Sequence, residues 1–234
     1  MTSLAKEKII VALDAPNSSA ALRLLDDLGD SVSWIKIGLQ LFISEGPSIV
    51  QTVKDRGYKI FLDLKIHDIP NTVREAVGSA LKLGVDMTTI HLSGGSTMIR
   101  AAVDASKDSP LLILGVTVLT SLNEADLRGT GVERTPAQQV KSLVELGFPV
   151  GLRGVVCSPH EIIALREAFG STLTIVTPGV RPMGAALGDQ QRVMTPSEAV
   201  LAGANHLVIG RPITGAASPR EAALAITAEI ETAL

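Results

Sequence analysis

Five charged side chains in the first third of the chain, Asp14, Lys36, Asp63, Lys65 and Asp68, are the raw material for a reactive centre. Three of them lie within Asp63-Leu64-Lys65-Ile66-His67-Asp68-Ile69-Pro70-Asn71-Thr72, directly after the apolar run Ile60-Phe61-Leu62. On a strand, alternate side chains share one face, so Asp63 and Lys65 are expected to leave a buried strand together, with Leu64 opposite. Asp68 falls where the strand gives way to a turn, and Pro70-Asn71-Thr72 reads as a helix start. Two readings stand side by side. One is a solvated ion pair at a strand end, with Asp14 as a turn former and Lys36 lying along a wall with its ammonium in water. The other is a coupled network in which alternating charges hold one another ionised and so tolerate burial. A network of that kind disfavours a nucleophilic, neutral Lys65, because Asp63 and Asp68 favour its ammonium form.

These side chains need a frame that gathers strand ends. β-branched or apolar runs recur at Lys8 to Leu13, Trp34 to Gly38, Lys59 to Lys65, Met87 to His91, Leu111 to Val118, Gly154 to Cys157, Leu173 to Val176 and His206 to Ile209. Helical patterns follow them, near residues 20–28, 46–55, 72–83, 96–105, 136–146, 159–169, 197–202 and 219–233. Eightfold strand–helix alternation predicts a single-domain (β/α)8 barrel over 1–234, with its site at the carboxyl ends of the strands. An open doubly wound sheet also alternates, but no Gly-x-Gly-x-x-Gly follows the first strand. Residues 122–135, with Arg128-Gly129-Thr130-Gly131, read as a loop without chemistry.

Composition narrows the function classes. A formal net charge of −3 gives no basic excess for nucleic acid, so an anionic small molecule would need locally placed cations. The start of the chain lacks a signal-peptide pattern, and no apolar run approaches the roughly 20 residues of a membrane span; a cytoplasmic protein is expected. Cys157 is the only cysteine, which excludes an intrachain disulfide and points to a small core residue. His67, His91, His160 and His206 show no ligand spacing, and no metal is expected. Arg181 and Arg211 are either surface arginines or, at the last two strand ends, an anion site.

The run DLKIHDIPNTV resembles the signature of the orotidine 5'-phosphate decarboxylase family, and the similarity extends nearly end to end. The resemblance implies a cofactor-free homodimer that decarboxylates orotidine 5'-phosphate. It implies a Lys36-Asp63-Lys65-Asp68 charge array in which Lys65 stabilises and protonates a C6 carbanion. It also implies that Asp14 and Lys36 hold the ribose, Thr120 and Ser121 the pyrimidine, and Arg181, Gln190, Gly210 and Arg211 the phosphate and its lid, with Pro178 a further substrate contact. Gln190 would belong to a Gly-rich loop, 184–191, that closes over the ligand. Asp68 and Thr72 would serve the partner's site, and Ile69 would be a substrate contact. Two alternatives remain: a metal-dependent aldolase like hexulose-6-phosphate synthase, which shares the Asp-x-Lys-x-x-Asp core, and a non-catalytic uridine nucleotide-binding protein.

Overall fold

The computed structural model describes residues 4–182 and 194–234. All eight predicted strands form, as β1 (Ile9–Ala12), β2 (Trp34–Gly38), β3 (Lys59–Ile66), β4 (Met87–His91), β5 (Leu112–Val116), β6 (Gly154–Val156), β7 (Thr174–Pro178) and β8 (His206–Ile209). They close into a parallel barrel in chain order, with β8 returning to β1.

Period-2 alternation sorts each strand between two apolar layers. Ile10, Ala12, Trp34, Phe61, Met87, Leu114, Val176 and Val208 fill the barrel interior. Their neighbours, such as Ile9, Val11, Ile35, Ile37, Ile60 and Leu62, face outward and pack with helix residues such as Ala21, Leu25, Val73 and Val77. Strands buried on both sides read as continuous apolar runs, which is why they were legible. Each buried Val, Leu or Ile contributes roughly 1.5–3 kcal/mol, so the scaffold tolerates a costly charged mouth.

The helices start and stop where local chemistry says they should. Asn17 caps Ser18–Leu28 by accepting from the Ala20 N–H at 3.0 Å. Pro70 opens the helix Pro70–Leu83, and Gly84 ends it at φ +68.

Two expectations need correction. The predicted helix at 46–55 forms as Ser48–Lys54, but a further helix, Leu39–Glu45, precedes it, and Gly46 at φ +65 with Pro47 separates the two. The stretch 122–135 is not all loop. It contains the helix Glu124–Gly129, held by a reciprocal cap in which Asn123 accepts from the Asp126 N–H and Asp126 accepts from the Asn123 N–H. Among the described residues, no helix is long and apolar enough to cross a membrane.

Candidate active site

The regular pleat of β3 ends at Asp63. On the β2 side Asp63 still pairs with Gly38, but on the β4 side the register runs Leu62↔Thr88 and then Ile66↔Ile90. β3 thus takes four residues to advance where β4 takes two, which is a bulge. Lys65 absorbs it with φ +51, the one positive φ at a non-glycine among the described residues. A β-region residue forced there loses about 1–2 kcal/mol. Strand alternation was therefore right about the outcome and incomplete about the cause: Lys65 turns back onto Asp63 through a bulge.

The bulge leaves ladder groups that two threonine hydroxyls of β4 satisfy. Thr88 Oγ1 donates to the Leu62 carbonyl at 3.0 Å, and the Lys65 N–H donates to Thr89 Oγ1 at 2.8 Å.

Charges alternate across the mouth. Lys65 Nζ donates to both Asp63 oxygens, at 2.8 and 2.9 Å, and Thr89 Oγ1 donates to Asp63 Oδ1 at 3.0 Å. Lys36 Nζ lies 3.8 Å from Asp63 Oδ2 and 3.0 Å from Asp14 Oδ1. The Asp63 and Lys36 side chains are only 12% and 11% exposed, against 32% for Lys65 and 60% for Asp14. Either of the inner pair alone would be costly to bury; the alternation is what permits both. Gly38 is part of this arrangement, since a Cβ there would come within 2.9 Å of the Lys36 ammonium.

His91 ends β4 with its ring 5.5 Å from that of His67. Burial, then the neighbouring His67 and Lys65, lower the His91 pKa, so it adds no charge to the array near neutrality.

A second cationic group stands at the ends of β7 and β8. Arg181 is 9% exposed; its N–H donates to the Met194 carbonyl and its guanidinium to the Val180 carbonyl, both at 2.9 Å. Burial, and the Arg211 guanidinium nearby, lower its pKa from the ordinary arginine value. Two guanidiniums brought this close suit an anion. Arg211 begins the short helix Arg211–Thr214, for which Gly210 is the N-cap.

Two adjoining cavities connect the groups. One, about 420 Å³, is bordered by Asp14, Lys36, Arg181, Gly210 and Arg211. The other, about 190 Å³, is walled by Phe61, Val118, Leu119, Thr120, Val156 and Cys157, with Asp63 and Lys65 at its edge. Lys36, Pro178 and Val208 border both. A polar compartment with arginines beside a smaller, more enclosed apolar one has the character of a nucleotide site. A larger cleft of about 620 Å³ lies at the opposite end, bordered by residues such as Glu7, Tyr58 and Lys59, away from the strand ends where barrels do chemistry.

The structure therefore brings together Asp14, Lys36, Asp63, Lys65, Thr120, Pro178, Arg181, Gly210 and Arg211. Ser121 is exposed beside Thr120 and does not border either cavity. Asp68, Ile69 and Thr72 are exposed and do not join the chain's own array; Asp68 Oδ1 accepts from the Ile69 N–H at 2.7 Å. Gln190 and the Gly-rich stretch lie outside the described residues. Sequence reasoning missed Thr89, Gly38 and the apolar wall, because a buried threonine, a glycine and valines carry no chemical signal until the bulge and cavities are known.

The chain is similar to known proteins along nearly its whole length. The model of the orotidine 5'-phosphate decarboxylase / HUMPS family matches residues 7–226. Orotidine 5'-phosphate decarboxylase of Moorella thermoacetica is 50% identical, over 97% of this chain and 93% of that protein. The enzyme of the same name from Opitutus terrae is 50% identical, over 96% and 98%. The crystal structure of orotidine 5'-phosphate decarboxylase from Lactobacillus acidophilus superposes with a TM-score of 0.86 at 39% identity, covering 96% of this chain and 99% of that one.

Proposed function

The chain belongs to the orotidine 5'-phosphate decarboxylase / HUMPS family, and on that premise we propose how its barrel mouth converts orotidine 5'-phosphate to uridine 5'-phosphate. The observation that carries the proposal is the Lys65 ammonium, fixed by both oxygens of a nearly buried Asp63 at the edge of an apolar cavity.

The phosphate binds between Arg181 and Arg211 with the Gly210 segment, the ribose lies over Asp14 and Lys36, and the pyrimidine enters the smaller cavity past Thr120 and Pro178. The C6–carboxylate bond breaks, carbon dioxide leaves, and the electron pair stays on C6. Lys65 then gives a proton to C6 and regains one from solvent. Negative charge moves from carboxylate to C6, toward the ammonium, so Lys65 interacts more strongly with the transition state than with the ground state. Asp63 keeps that ammonium aimed, through both of its oxygens. The ammonium supplies both the charge and the proton, so the reaction as proposed uses no cofactor.

The hexulose-6-phosphate synthase type of reaction is the second reading, since the matching family spans both. Curated relatives at 50% identity carry the decarboxylase name, which favours the first. Chelator-treated protein should convert orotidine 5'-phosphate at an undiminished rate, followed by ultraviolet absorbance. A strict requirement for added magnesium would favour the aldolase reading.

We further propose a cytoplasmic homodimer in which Asp68, Ile69 and Thr72 complete the partner's site. Their exposure beside the mouth, with Ile69 67% exposed, supports this. Lys65→Ala and Asp68→Ala would then damage contributions to different sites. A mixed dimer would hold one doubly damaged and one intact site, so random reassociation of the two variants should restore about one quarter of wild-type activity. No recovery, with heterodimers demonstrated, would return Asp68 to its own subunit's site.

A further inference from the structure

One hydroxyl ties the two members of the Asp63–Lys65 pair to the same point. Thr89 Oγ1 accepts from the Lys65 backbone N–H at 2.8 Å and donates to Asp63 Oδ1 at 3.0 Å. A hydroxyl has a single proton, and the backbone amide can only donate, so the Thr89 proton must go to the carboxylate. The residue is completely buried, and strand β4 holds it next to the bulge. Lys65 is at φ +51, a conformation that persists only when its surroundings hold it there.

We infer that Thr89 is a positioning residue for the decarboxylation, which holds the Lys65 ammonium in place by fixing both its backbone and its counter-ion. The inference rests on the reading of Lys65 as proton donor. Without the hydroxyl, the Lys65 N–H loses its acceptor and Asp63 loses the hydrogen bond that anchors its carboxylate to strand β4, leaving the Lys65 ammonium as its remaining hydrogen-bond donor among the described residues. The strained backbone is then free to relax toward the β region, carrying Nζ with it. Thr89 borders neither cavity, so substrate binding depends on it little. Misplacing a reacting group by a fraction of an ångström lowers the chemical step far more than it weakens binding.

The test compares Thr89→Val, which keeps the shape and removes the hydroxyl, with Thr89→Ser, which keeps the hydroxyl. Valine should lower kcat about tenfold or more, with KM and the Kd for uridine 5'-phosphate within about threefold of wild type. Serine should recover most of the loss. Thr89→Ala, assayed per mole of folded protein, gives the same readout should valine overpack. Valine or alanine variants retaining kcat within about twofold would overturn the inference, as would equal losses for valine and serine. Lys65→Ala run beside them separates the two levels. Turnover that survives in Lys65→Ala sinks the assignment of Lys65 and this inference with it. Turnover lost in Lys65→Ala but kept in Thr89→Val sinks this inference alone.

Discussion

Strands β2 and β3 carry polar side chains to both ends of the same barrel, and the two ends use them in opposite ways. At the amino end, Glu7 takes Lys59 at 2.9 Å and the Trp34 indole N–H at 3.2 Å, with the Lys59 ammonium 5.3 Å from the Trp34 ring centroid. His206 donates from Nδ1 to the Glu7 carbonyl at 3.0 Å and meets Trp34 edge-on. There the Glu7 and Lys59 charges pair with each other within the chain. At the carboxyl end, among the described residues, Lys36, Lys65, Arg181 and Arg211 border the two cavities together with Asp14 and Asp63, four cations to two carboxylates. The local excess is positive although the whole chain carries −3. Charge balanced internally stabilises a floor, whereas charge left in excess around a cavity awaits an anion.

The comparison predicts that β3 lysines at opposite ends behave differently. Lys65→Ala should lower turnover by about 10³-fold or more with the fold retained, while Lys59→Ala on the same strand should stay within about twofold. Steady-state kinetics on both, with circular dichroism, checks this; comparable losses would erase the distinction. Next in size, Arg211→Ala should lower kcat/KM by about 10²-fold, since it removes a charge-assisted grip on phosphate. An unchanged value would move the phosphate site elsewhere. Glu7→Ala should leave kcat unaltered and cost about 1–2 kcal/mol of stability in urea unfolding, through the lost Trp34 and Lys59 contacts.

The smallest effect is on pH dependence. Burial lowers the His206 pKa below its ordinary value. Above about pH 6.5 the imidazole is neutral in both folded and unfolded chains. Below that, the unfolded chain takes a proton that the folded chain resists, so stability falls as pH drops. The urea midpoint should decline below about pH 6.5, and His206→Gln should make the decline shallower. An identical slope in the variant would assign the titration to other groups.

The scaffold was legible because its signals are local and repeated. Apolar runs buried on both faces mark strands such as Ile35 to Ile37, and Pro70 with Gly84 brackets a helix whatever its neighbours do. The helix Leu39–Glu45 escaped because it follows β2 with no capping side chain at Gly38. In the site, charged residues announced themselves and their helpers did not. Asp63 and Lys65 are conspicuous within an apolar run, whereas Thr89 matters only through a two-residue slip between β3 and β4, and nothing in Met87-Thr88-Thr89-Ile90 signals that slip. Gly38 likewise acquires meaning only from the Lys36 ammonium folded against it.

The claim that carries most weight is that the carboxyl-end array acts on the transition state and not on binding alone. It is tested by measuring, on one preparation of Lys65→Ala, both its turnover of orotidine 5'-phosphate and its Kd for uridine 5'-phosphate. Turnover should fall by about 10³-fold or more while the Kd stays within about tenfold of wild type. Turnover within about tenfold of wild type, or a Kd weakened in proportion to the lost turnover, would contradict the account.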